Sequence, residues 1–238
     1  RDFIHVAFGH VGHQALQLVQ RLKLVDNLPR EFGRSVTQPC ECLACVAGKS
    51  KTIPTKAGKK TKKNQDRKRS SVTGQLIHCD VLEYVPRNSN DFSTSGGLIL
   101  LTRCDASRYV VARVMKTTRD LSAMMAEVII EYSNLGHHVR EFRADNAFTS
   151  SQMMAMLGDV RNLRDERVLV RPCPPHEHKL NGTAERLCDT VTRMLRTIYF
   201  LVPHDFPRFD LRPAVKYVAL LLNALTQSHS TSRASAME

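Results

Sequence analysis

One run of positive charge divides this chain. Between positions 49 and 69 ten residues are basic and one, Asp66, is acidic, so this stretch holds +9 of the total +12. A segment so charged and so poor in apolar side chains cannot bury enough surface to fold, and residues 49–71 read as a flexible basic linker. Folding must happen on either side of it. Residues 1–48 are too few for a large core and need a cross-link to hold them. Within them Leu16, Val19 and Leu22 recur at helical spacing, and Asn27-Leu28-Pro29 marks a break. Residues 72–238 have room for a full domain.

No run approaches the roughly 18–20 apolar residues that cross a bilayer, and no signal peptide opens the chain. A membrane protein is therefore excluded and secretion is not expected. Arg1 in place of an initiating Met reads as the start of a piece of something longer. The seven cysteines, an odd number set mostly among apolar neighbours, do not form a disulfide framework and fit a reducing compartment. A basic tract attracts phosphate polyanions, because each cation that neutralises a phosphate releases a condensed counterion. Lys59, Lys60, Lys62, Lys63, Arg67, Lys68 and Arg69 are its candidate nucleic-acid contacts, and a nuclear-localisation role is equally permitted.

The cross-link for the first piece is suggested by His5-x4-His10 and Cys42-x2-Cys45. Tetrahedral Zn²⁺ takes imidazole and thiolate ligands, and two such pairs let a short chain loop around one ion. Either pair alone is weak evidence, since a lone histidine is more often a surface or core residue. Together, in a module too small to fold unaided, they indicate a structural Zn²⁺ site. His13 and Cys40 read as bystanders, with Cys40 the one substitute for Cys42.

Past the linker the periodicity changes. Residues 75–83, 97–104 and 108–114 read as strands. Leu121, Met124, Met125, Val128, Ile129 and Tyr132 then fall on one stripe of a helix that Gly136 ends. Residues 138–144 and 168–171 read as further strands, 150–157 as a short helix, and 182–200 and 212–225 as longer ones. This is a mixed α/β layout around a central sheet.

Three acids stand out against that layout. Asp80 lies inside an apolar strand, an expensive place for a carboxylate with no cation. Asp145 directly follows a strand, and Glu185 falls near the start of a helix for which Asn181 is the expected N-cap. On that helix Leu187, Val191, Met194, Leu195 and Ile198 form the buried stripe. Glu185, Arg186, Asp189, Arg193 and Arg196 project from the other side. Carboxylates that converge repel one another unless a cation sits between them, and Mg²⁺ (or Mn²⁺) suits oxygen ligands beside phosphates. Arg186 and Arg193 are candidate phosphate contacts, with ion pairs to Asp189 the competing explanation. Lys179, in the loop expected before the helix, is another. Asp105, Asp120, Asp159 and Asp189 read as solvated charges or helix caps.

Taken in order, these motifs resemble the integrases of copia-type long-terminal-repeat retrotransposons. The resemblance rests on the His/Cys pairs with Gly48-Lys49, on His78-Cys79-Asp80-Val81, and on Asp105-Ala-Ser-Arg-Tyr109. It continues through Arg143-Ala-Asp-Asn146, Asn181-Gly-Thr-Ala-Glu-Arg186, the segment 214–223 and Ser235-Ala-Met-Glu238. It implies a ribonuclease H-like mixed-sheet catalytic core preceded by a small helical zinc-binding module. Its catalytic triad is Asp80, Asp145 and Glu185, with 64 and 39 residues between them. The implied activity is polynucleotidyl transfer: 3′-hydroxyl ends of element DNA attack target phosphodiesters with Mg²⁺ or Mn²⁺, and some members first trim the ends hydrolytically. The implied partners are element and target DNA, further copies of the chain and a host tethering factor. The implied location is the nucleus, reached through a cytoplasmic virus-like particle. Three features depart from the family pattern: Ala147-Phe148 after Asn146, His176 and Leu180 before Asn181, and no Trp near 209–212. These departures motivate a competing reading, a co-opted, non-catalytic relative that binds nucleic acid or serves structurally. A ribonuclease H-type nuclease shares the acids but has no use for the His/Cys module.

Overall fold

The computed structural model describes residues 2–22, 42–49, 70–84, 97–144, 148, 167–173, 178–201 and 210–225. Its larger part is organised on one strand, Leu76–Tyr84 (β1). Strand residues alternate sides, and here both sides are largely apolar. Ile77 and Cys79 enter one core, while Leu82 and Tyr84 face another. A strand apolar on both sides belongs in the middle of a covered sheet, and β1 is the third of five in the order β3-β2-β1-β4-β5.

Gly97–Cys104 (β2) and Val110–Met115 (β3) extend the sheet on one side as antiparallel neighbours. Glu141–Ala144 (β4) and Leu169–Pro172 (β5) extend it on the other as parallel ones. The change of direction is made by the helix Leu121–Asn134 (α4), which carries the chain from β3 to β4. Its stripe of Leu121, Met125, Val128, Ile129 and Tyr132 is buried with Ile77, Cys79 and Phe142. Before it, the Asp120 carboxylate accepts the backbone N–H groups of Lys116 and Thr117, the capping role expected for this residue. The strand expected over 138–144 is shorter, because β1 starts at Leu76 and only residues facing it from 141 onward have a ladder partner.

The opposite face of the sheet carries two helices, His178–Tyr199 (α5) and Leu211–Leu225 (α6). Leu187, Val191 and Leu195 of α5 and Val215 and Val218 of α6 close over Ile99, Leu101 and Tyr84. Each such side chain contributes about 1.5–3 kcal/mol by leaving water. Asn223 pins α6 to the edge strand: its side chain accepts the N–H of Val110 at 2.7 Å and donates to that residue's carbonyl at 2.9 Å. Both backbone groups of Val110, at the start of this edge strand, are thereby satisfied.

The N-terminal piece is helical, as its spacing predicts. It comprises Asp2–Ala7 (α1), His13–Leu22 (α2) and Leu43–Lys49 (α3), with Leu16 and Val19 buried. The basic tract beyond Lys49, which ends α3, lies outside the described residues, as do the expected helix over 150–157 and Asp159.

Two candidate metal centres

The expected histidines and cysteines meet. His5 Nε2 lies 3.0 Å from Cys45 Sγ, and His10 Nδ1 lies 3.4 Å from both Cys42 Sγ and Cys45 Sγ. All four donor atoms fall within 4.8 Å of one another. A zinc tetrahedron with its usual bond lengths has N···S edges of about 3.5 Å, so this donor set fits that ion in kind and size. The turn after α1 makes the approach. Gly9 and His10 both adopt left-handed backbone, at φ +62° and +60°, and the His10 N–H returns to the His5 carbonyl at 2.9 Å. Positive φ is uncommon for a residue with a side chain, and it marks a position held for a purpose. Burial first, then the charges of His5 and Lys49, depress the His10 pKa to about 4. The imidazole is therefore neutral at pH 7, as a metal ligand must be.

The module does not hang free of the core. α3 lies along α5, and a Cβ on Gly48 would stand 2.5 Å from Thr197 Oγ1 and 2.8 Å from that residue's backbone. A Cβ on Gly9 would stand 2.2 Å from Leu221 Cδ1, and the Tyr217 hydroxyl donates to the Ala7 carbonyl at 2.6 Å. The Lys49 ammonium donates to the His10 carbonyl, tying the end of α3 to the turn. This changes the picture of α5. The flank expected to present arginines to solvent runs partly beneath α3: Thr197 is fully buried, and Arg193, one turn earlier, is half-buried and paired with Asp189 at 2.9 Å. Arg186 and Glu185 remain exposed.

The acidic site is built from β1 and α5. Asp80 Oδ1 accepts the N–H of Val81 at 2.8 Å, which fixes the carboxylate against its own strand. The Cys188 thiol faces Asp80 Oδ2 at 3.7 Å. Burial first, then the charge of Asp80 and its hydrogen bond, and finally the charge of Glu185, push the Cys188 pKa up to about 12. Glu185 is one helical turn from Cys188 on α5. Asp145 follows Ala144, the last residue of β4, and lies outside the described residues. Asn181 is not the N-cap. α5 begins at His178, so Asn181 is buried in its first turn and Glu185 sits two turns in. His178 and Lys179 belong to the helix, not to a loop, and the side chain of Lys179 lies outside what the structure describes. So do Lys59, Lys60, Lys62, Lys63, Arg67, Lys68 and Arg69, together with Cys40 and the side chain of His13.

Asp105 departs from its expected role as a solvated charge or cap. It is 4% exposed, accepts the Ser70 N–H at 2.8 Å, and lies 3.3 Å from Nε2 of the fully buried His78. Burial alone raises its pKa. The hydrogen bonds from His78 and Ser70, with the charges of His78 and Arg108, outweigh that and hold the carboxyl well below the usual carboxylate range. The buried pair ties the start of β1 to the β2–β3 turn and to the residue where the basic tract ends. Asp105 follows a strand and precedes small polar residues, so its sequence context is that of a turn residue. His78, two positions before Asp80 in an apolar run, is the signal that points to the pair.

No family model matches this chain, and no curated protein matches it. Solved structures do. A chain of the simian T-cell lymphotropic virus intasome in complex with PP2A regulatory subunit B56 gamma is similar over 95% of this chain and 70% of its own, at 16% identity and a TM-score of 0.51. The catalytic core domain of BIV integrase matches 63% of this chain and 84% of its own, at 15% identity and a TM-score of 0.45. The HTLV-2 integrase catalytic core domain in complex with magnesium (dimeric form) matches 70% and 98%, at 17% and 0.48. The intasome likeness is one of fold alone.

Proposed function

We propose that this chain is the integrase of a copia-type retrotransposon, a polynucleotidyl transferase that joins the 3′-hydroxyl end of element DNA to a phosphodiester of target DNA. The observation that carries the reading is the meeting of β1 with α5, where one half-buried thiol lies against Asp80 and stands one helical turn from Glu185. The fold shared with an intasome chain supports it, and so does the paired His/Cys module. The copia-type assignment rests on the ordered motifs from His78-Cys79-Asp80-Val81 to Asn181-Gly-Thr-Ala-Glu-Arg186.

In this reading Asp80, Asp145 and Glu185 are the catalytic carboxylates. Mg²⁺ or Mn²⁺ held by them supplies Lewis acidity to the attacking and departing oxygens of an in-line displacement. Asp80 is oriented by the Val81 N–H, which holds its carboxylate against β1. Glu185 stands on the exposed side of α5, open to a bound duplex. Arg186, Lys179 and the linker cations meet phosphates, while Arg193, the other expected contact, is engaged by Asp189. His5, His10, Cys42 and Cys45 hold a structural Zn²⁺. Residues 1–48 form the zinc module, 49–71 the linker and 72–238 the catalytic core. Further copies of the chain, element and target DNA, and a host tethering factor are the partners, in the nucleus after passage through a virus-like particle.

One observation favours the competing, non-catalytic reading: both Asp80 oxygens already meet groups of the protein itself, Val81 N–H and the Cys188 thiol. Strand transfer decides between them. An oligonucleotide with a free 3′-hydroxyl, a target duplex and Mg²⁺ or Mn²⁺ are incubated with the full chain. Joined product that disappears in Asp80→Asn and in Glu185→Gln supports the enzyme. Salt-sensitive DNA binding with no product supports the binder, and product that survives both substitutions removes the assigned roles.

A further inference from the structure

α5 and α6 rest on β1, β2 and β3, and the same face of the sheet continues past them onto β4 and β5. Phe142 and Ala144 point into the core under α4, so Glu141 and Arg143 point the other way, toward the side that also holds Asp80. Arg143 pairs in register with His78 of β1 on one side and Arg171 of β5 on the other. Glu141 pairs with Leu169. On this part of the face Leu169 is 51% exposed, the Arg171 side chain is 65% exposed, and Arg167, two residues before Leu169, is exposed as well.

An uncovered sheet face is ordinarily polar with mixed charge, and that is the bland explanation. The charges here are not evenly mixed. Glu141 is shared, at 3.1 Å from Arg143 and 3.4 Å from Arg171, so one carboxylate serves two guanidinium groups. Arg167 adds a third cation, and a large aliphatic side chain stands among them in water. Position also counts. With strands about 4.8 Å apart and about 3.3 Å per residue, the Cα of Arg143 lies about 8 Å from that of Asp80. Such a strip is cationic and partly apolar, and its Arg143 end lies beside the acidic site. It matches the phosphates and sugars of a nucleic-acid strand, and guanidinium forks bind phosphate oxygens two at a time.

We propose that Arg143, Arg167 and Arg171, with Leu169 between them, form a contact strip for the phosphodiester backbone of DNA that approaches Asp80. This rests on the integrase reading for its direction toward the acids, but it is measured without catalysis. Binding of a fluorescein-labelled duplex by the full zinc-loaded chain is followed by anisotropy from 50 to 200 mM salt, with no Mg²⁺ or Mn²⁺ present. Removing one cation that neutralises a phosphate lowers the slope of log affinity against log salt by about 0.9. Arg167→Gln with Arg171→Gln is therefore expected to reduce the slope by about 1.8 while the unfolding midpoint holds. The basic tract is present in every variant, so the difference reports the strip alone. Arg171→Cys is expected to cross-link to a thiol-modified duplex above the level the parent's own cysteines give. An unchanged slope and affinity in the double variant would overturn the strip, and so would failure to cross-link. A chain inactive in strand transfer whose slope still falls keeps the strip and loses the enzyme. An active chain whose slope does not move keeps the enzyme and loses the strip.

Discussion

Adding one methyl group at Gly48 sets the His/Cys module against the helix on which it rests. The new Cβ would lie 2.5 Å from Thr197 Oγ1 and 2.8 Å from that residue's N and Cα. A hydroxyl can rotate away, but backbone atoms inside α5 cannot. Ordinary contact begins at 3.4 Å, so α3 must retreat by at least the 0.6 Å difference. That retreat moves Cys45, three residues earlier on α3, relative to His5 and His10. The histidines do not follow, because Tyr217 holds the end of α1. Overpacking of this kind costs about 1–3 kcal/mol. Alanine returns up to about 1 kcal/mol in helix propensity, which leaves a net destabilisation of about 0–3 kcal/mol for Gly48→Ala. Urea unfolding of the zinc-loaded chain reads the stability, and competition with a chromophoric chelator reads the zinc affinity, which should fall. Thr197→Ala in the same background relieves only the hydroxyl contact and should restore part of the stability. A Gly48→Ala chain as stable as the parent, with equal zinc affinity, would refute the docking of α3 on α5.

Two further outcomes follow from the same contacts. Chelating zinc should unfold α1–α3 and also raise amide exchange in the second half of α5, around Thr197, while α4 stays protected; equal protection of α5 with and without zinc would show the two parts to be independent. Asp105→Asn should destabilise the core by about 1–3 kcal/mol at pH 7, since it weakens the partner of a buried histidine. The folded pKa of Asp105 is depressed, so its contribution is present above the unfolded carboxyl value near 4 and is lost as pH falls through the folded one. The gap between parent and variant should therefore be widest at neutral pH and narrow in acid, and a gap that widens on acidification would contradict the assigned direction.

Much of this architecture is written locally. β2 begins at Gly97 and ends at Cys104, and α4 follows the stripe from Leu121 to Tyr132, because neighbours in sequence set those patterns. The His/Cys centre is legible for the same reason, since each ligand pair sits close in sequence and needs only one long-range meeting. What is not legible depends on partners far along the chain. Cys188 meets Asp80 across 108 positions, and His78 meets Asp105 across 27. The start of α5 differs from its expected place because Asn181-Gly182 has the composition of a helix beginning, whereas the buried Asn181 lies inside the first turn. The seat of α3 on α5 turns on the absence of a side chain at Gly48, which no periodicity reveals.

The convergence of acids is tested most directly by diffraction from crystals soaked in Mn²⁺, recorded at its absorption edge. An anomalous peak is expected at hard-cation bonding distance, about 2.1 Å, from an oxygen of Asp80, with Asp145 and Glu185 completing its protein ligands and the Cys188 thiol turned away. A saturating soak that leaves no peak beside Asp80, with the thiol still against its carboxylate, would contradict a shared two-ion site.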